Sequence, residues 1–164
     1  MVMNVLDVAA SKELEMKSCY EKIARESTLV GIRTIFSLLA RDEEKHYEMV
    51  LALRGGTCPE LPTDSTVLET ARTMVGSFVG DKDVAGLLRN DLDGYRLALA
   101  MEGESVRSYE KLAAVQNDAA SRKMLLKILG EERKHYNVVE NLYDFASKPE
   151  YFLAWAEFSN LREL

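Results

Sequence analysis

The chain has 164 residues, 47% hydrophobic and 29% charged, which suits one folded domain with a buried core and argues against disorder. The net charge of −6 argues against a nucleic-acid partner, because phosphate-backbone binders present clustered Lys and Arg. Cys19 and Cys58 are the only cysteines and form no C-x-x-C pair, so neither a four-thiolate iron site nor a zinc ribbon can be built from these residues.

Helical periodicity runs through most of the chain. The first helix is expected from about Asn4 to Ser27, with an apolar stripe of Val5, Ala9, Met16, Tyr20, Ile23 and Ala24. Glu13 falls inside that stripe. The second helix is expected from Val30 to Arg54, with Ile32, Ile35, Phe36 and Leu39 followed on the same face by Glu43, His46, Val50 and Leu53. Gly55-Gly56 ends it. In the crossover, residues 55–90, Pro59 and Pro62 forbid a continuous helix. Asp64 or Ser65 can then cap a helical piece over Thr66–Phe78. Gly80-Asp81 breaks that piece, and Val84–Asn90 adds a further turn or two. The third helix is expected over Asp91–Val115, with Glu102 in a stripe of Tyr95, Ala98, Leu99, Val106, Tyr109, Leu112 and Ala113. The fourth runs over Ala119–Phe145, with Glu132 and His135 among Met124, Leu125, Ile128, Val139 and Leu142. An aromatic-rich tail, residues 146–164, completes the chain.

The two halves repeat. Glu13, Tyr20, Glu43 and His46 recur as Glu102, Tyr109, Glu132 and His135, each 89 positions later. The segment YEKIA at 20–24 matches YEKLA at 109–113, which indicates duplication of one helical hairpin. The expected fold is all-α: a four-helix bundle of two antiparallel hairpins, residues 4–54 and 91–145, with a long helical crossover and a helical tail, in one domain over 1–164.

Residues three apart share a helix face, so Glu-x-x-His aims a carboxylate oxygen and an imidazole nitrogen at one point. Single E-x-x-H matches are mostly surface residues. Here all four glutamates and both histidines lie in apolar stripes, and those histidines are the only two in the chain. Four carboxylates buried together would repel one another and suffer a large desolvation cost, and two divalent cations relieve both. Carboxylate and imidazole ligands without thiolate suit iron, manganese or zinc. Tyr20 and Tyr109 stand two turns beyond Glu13 and Glu102. They read as core tyrosines whose buried hydroxyls can each bond a carboxylate of the site. Glu15, Glu44 and Glu104 read as surface residues, and Cys19 as a packed thiol.

The doubled pattern, E-x6-Y in helices one and three and E-x-x-H in helices two and four, resembles the rubrerythrin branch of the ferritin-like superfamily. The resemblance covers all four helices. It implies two iron ions, with Glu13 and Glu102 as terminal ligands, Glu43 and Glu132 bridging, and His46 and His135 each on one metal. It implies a peroxidase that reduces hydrogen peroxide, or dioxygen, in oxidative-stress defence, and a homodimer. Two departures stand out. Rubrerythrins usually append a four-cysteine rubredoxin domain, absent from these residues, so an external rubredoxin-like electron donor is expected. They also carry an extra glutamate three residues after the third-helix ligand, where this chain has Ser105. The alternatives are an iron-binding or ferroxidase protein for iron storage or transfer, and a helical module with a structural metal. With no signal peptide and no uncharged apolar run of membrane-spanning length, the expected setting is the cytoplasm, with no membrane partner.

Overall fold

A computed structural model describes residues 4–78 and 82–148. These residues form six helices: α1 Val5–Glu26, α2 Val30–Arg54, α3 Val67–Gly76, α4 Lys82–Asn90, α5 Leu92–Val115 and α6 Ala119–Ser147. No strand occurs among the described residues, and no described helix is long and apolar enough to cross a membrane.

The helix ends follow their capping residues. The Asn4 side chain accepts the Leu6 N–H at 3.0 Å, and that of Asp118 accepts the Ser121 N–H at 2.8 Å, so α1 and α6 begin where a short polar side chain satisfies a free donor. Extended backbone at Ser27 stops α1, and Arg33 donates to the Ser27 and Thr28 carbonyls to hold the tight turn into α2. Gly56, at φ 73°, takes the left-handed conformation that closes the end of α2.

Two hairpins, α1 with α2 and α5 with α6, supply most of the packing. They meet through α1 against α5 and α2 against α6, which gives the four-helix bundle expected from the repeat. α1 and α5 run antiparallel: Gly94 lies beside Ile23, and Lys12 pairs with Glu104. The crossover lies over one side of the bundle. α3 packs on α2 and α6, and α4 packs on α5 and α6.

The core divides into two clusters. One holds Tyr20, Ile32, Ile35, Phe36, Leu39, Tyr95, Val139 and Leu142, roofed by Val67, Leu68, Ala71 and Leu88 of the crossover. The other holds Ala9, Ala10, Met49, Val50, Tyr109, Met124, Leu125 and Ile128. On every long helix the acidic and histidine positions fall between these two sets, so a polar layer crosses the middle of the bundle. Phe36 anchors the first cluster: it stacks on Tyr95 at 5.5 Å and tilts against Tyr20 at 5.6 Å. Phe36→Ala is expected to cost about 3–5 kcal/mol, read by denaturant unfolding of the metal-free protein.

Three expectations need correction. Val5 is 62% exposed, at an apolar groove that it lines together with Val8, Leu112 and Val115. The second crossover piece is a nine-residue helix rather than a turn or two, and a single residue, Asp91, separates it from α5. α6 continues through Ser147, so it includes the first residues assigned to the tail. The break at Gly80-Asp81 and the tail from Pro149 onward lie outside the described residues.

Candidate metal centre

The repeat brings all six sequence-chosen donors together. Glu13, Glu43, His46, Glu102, Glu132 and His135 are each 2% exposed or less. Glu43, His46, Glu132 and His135 each offer a ligand atom within 4.8 Å of the others, a cluster that can hold a metal ion. Glu43 reaches both histidines: its Oε1 lies 2.8 Å from His135 Nδ1, and its Oε2 lies 3.5 Å from His46 Nδ1. Glu132 Oε1 lies 2.7 Å from His46 Nδ1. The remaining glutamates flank one histidine each, Glu13 at 3.8 Å from His46 Nδ1 and Glu102 at 3.6 Å from His135 Nδ1. The geometry is thus two half-sites, Glu13 with His46 and Glu102 with His135, joined by Glu43 and Glu132.

Both tyrosines behave as the sequence suggested, with one addition. Each bonds the glutamate of the other hairpin: the Tyr20 hydroxyl donates to Glu102 Oε1, and that of Tyr109 donates to Glu13 Oε1. Burial, reinforced by the neighbouring carboxylates, pushes both phenols well above their ordinary range, so they remain donors. Ser105 is buried in α5, and Cys19 packs against the first core cluster. Glu44 and Glu104 are surface residues paired with Lys17 and Lys12, and Glu15 is exposed.

The sequence reading missed two residues. Glu131 Oε2 lies 2.8 Å from His46 Nε2, and Asp42 Oδ2 lies 3.4 Å from His135 Nε2. Each is the residue before a site glutamate, and each serves the histidine of the other hairpin. Their positions, 42 and 131, also differ by 89, so the signal was present. With Nε2 held from outside, Nδ1 is the nitrogen turned into the cluster, as in carboxylate–histidine–metal arrangements.

The donor set fits metal ions on its own unsatisfied atoms. Both oxygens of Glu43 and Glu132, one oxygen each of Glu13 and Glu102, and Nδ1 of both histidines are buried with no hydrogen-bond partner outside the cluster. So many orphaned acceptors in one place would be costly without cations. Protons partly substitute for them in the metal-free protein. Burial would by itself lower the His46 and His135 imidazoles. Glu131, Glu132 and Glu43 around the first, and Glu43 and Asp42 around the second, outweigh it and raise both well above their ordinary value. Burial also raises Glu13 and Glu102, helped by the charges on Glu132 and Glu43. Burial opposes ionisation of Glu43 and Glu131 too, but the histidines prevail: Glu43 is lowered, and Glu131 falls to about 2.

The sign of the pH dependence follows. Stability from the raised histidines and from the protonated Glu13 and Glu102 is present at low pH and is lost as pH rises through their raised values. The Glu131 contribution is lost only as pH falls through about 2. The metal-free protein is therefore expected to melt at progressively lower temperature from about pH 5.5 to 8.5, on either side of the ordinary histidine value. Metal affinity is expected to rise over the same range, because uptake displaces these protons. Thermal melts with chelator and parallel metal titrations check the two opposite trends.

A family model described as Rubrerythrin matches residues 4–143. No curated protein and no solved structure gives a significant match. The matched span contains the first hairpin, the second as far as residue 143, every one of the six inward donors and the two carboxylates behind the histidines. The chain belongs to the rubrerythrin family.

Proposed function

We propose that this protein is a two-iron oxidoreductase that reduces hydrogen peroxide, or dioxygen, to water with electrons from an external rubredoxin-like donor. The observation that carries the reading is the convergence, between two hairpins, of eight buried carboxylate and imidazole atoms that meet only one another. Glu13 and His46 would hold one ion, Glu102 and His135 the other, with Glu43 and Glu132 shared. Bound there, ferrous ions supply the two electrons that peroxide reduction consumes and Lewis acidity toward oxygen. Two protons are needed as well, since peroxide, two electrons and two protons give two waters.

The chain's own residues set the conditions for that chemistry. Glu131 and Asp42 fix each imidazole with Nδ1 inward, and Tyr20 and Tyr109 hold O–H protons at Glu102 Oε1 and Glu13 Oε1, orienting those carboxylates. The core clusters above and below keep bulk water away. The donor has to be external to these residues, because Cys19 and Cys58 cannot form a four-thiolate iron site.

Anaerobic ferrous loading followed by stopped-flow mixing tests the proposal. Oxidation of the ferrous protein by peroxide faster than by air, and re-reduction by added rubredoxin, is the expected result. Ferrous protein inert to peroxide would overturn it. Faster reaction with air and continued uptake of iron would turn the reading to iron handling.

A further inference from the structure

The carboxylates around the two histidines obey the 89-residue repeat, but a crossover residue that touches both sides of the network does not. Ser65 lies in the crossover before α3 and is 5% exposed. Its hydroxyl donates to Asp42 Oδ2, and its backbone N–H donates to Glu131 Oε1 at 3.0 Å. Asp42 is the carboxylate behind His135, and Glu131 the one behind His46. A single crossover residue therefore grips both outer carboxylates.

We propose that Ser65 is a positioning residue that sets both histidines from outside the bundle, through its hydroxyl on the Asp42–His135 side and its N–H on the Glu131–His46 side. The proposal rests on the reading that these histidines hold metal.

Three details support it. The Ser65 hydroxyl oxygen also accepts the Val67 N–H at 3.2 Å, so the start of α3 fixes the direction in which the hydroxyl proton points. Lysines complete both carboxylates: Lys45 holds the other oxygen of Asp42, Oδ1, at 3.0 Å, and Lys127 shares Glu131 Oε1 with the Ser65 N–H, at 3.2 Å. The two arms are also unequal. Glu131 sits 2.8 Å from its histidine, whereas the shorter Asp42 sits at 3.4 Å. Asp42 thus has less hold on its ring and relies more on the hydroxyl that orients it.

This inequality gives a test that a general packing role would not pass. Ser65→Ala removes the hydroxyl and keeps the N–H, so only the His135 side loses its support. Stepwise optical titration of the metal-free protein with Co²⁺ reads both ions. Loss of an outer partner weakens metal binding about 10–100-fold, and Ser65 stands one bond further out, so about tenfold at one ion is expected, with the other unchanged. Ser65→Thr, which keeps a hydroxyl, should restore the wild-type constants. In an Asp42→Ala background, Ser65→Ala should add nothing, since its partner is gone. Should Ser65→Ala fail to fold, Ser65→Cys replaces it, with a weaker donor of similar shape and a smaller effect on the same ion. Equal weakening of both ions, no change at either, or an undiminished Ser65→Ala effect without Asp42 would overturn the proposal while leaving the two-metal reading intact. Wild-type protein that binds no Co²⁺ would overturn both.

Discussion

Glu43→Ala is expected to abolish tight binding of both metal ions and to destabilise the metal-free protein. Glu43 is the carboxylate that approaches both inward nitrogens, at 2.8 Å from His135 Nδ1 and 3.5 Å from His46 Nδ1. Without it, each half-site keeps its own histidine and flanking glutamate but loses a shared ligand. Removal of a residue merely behind a ligand costs about 10–100-fold in metal affinity, so loss of this one should exceed about 100-fold. In the metal-free protein Glu43 is the ionised partner of two buried imidazoles held well above their ordinary value. Removing one partner of a buried charged pair costs about 3–5 kcal/mol. Metal titration and chemical denaturation of the same variant check the two effects separately.

Metal loading is expected to produce the largest change in stability. An ion that binds only the folded state at a thousandfold excess over its Kd contributes about 4 kcal/mol, and two independent ions about twice that. Glu13→Gln should act with opposite signs on the two forms. Burial and the Glu132 and Glu43 charges already work against ionisation of Glu13. At a pH where Glu13 is ionised, a neutral amide at this position relieves that repulsion in the metal-free protein, whereas the loaded protein loses a ligand beside His46. The variant should therefore melt higher than wild type with chelator and lower than wild type with metal. Differential scanning calorimetry under both conditions reads this reversal directly, and a variant that melts lower with chelator as well would show that Glu13 supports the metal-free fold rather than straining it.

The bundle and its inward donors were legible because a duplicated hairpin writes every important position twice. Glu43 and His46 interrupt the stripe of Ile35, Phe36, Leu39 and Val50, and Glu132 and His135 do the same in α6, so the polar layer between two apolar clusters is visible as a break in periodicity. The carboxylates behind the histidines were harder to find. Asp42 and Glu131 lie next to a ligand in sequence, one residue off the inward face, where a charged side chain ordinarily meets solvent. Both are buried because α3 and the preceding loop cover that side, which the helical pattern of α2 and α6 alone does not disclose. Ser65 was visible only as a helix cap. Its hydroxyl does accept from the start of α3, but its contacts with Asp42 and Glu131 depend on where the crossover lands. Val5 is exposed although it lies on the apolar stripe: periodicity predicts a face, not how far along the helix that face is covered.

Two metal ions are expected to occupy the layer formed by the two hairpins. The most direct test is an anaerobic titration of the metal-free protein with Fe²⁺, followed by quantification of tightly bound iron. Saturation at two ions per chain is expected, the number a doubled Glu and Glu-x-x-His set is built to hold. Saturation below two, or uptake that never saturates, would contradict it.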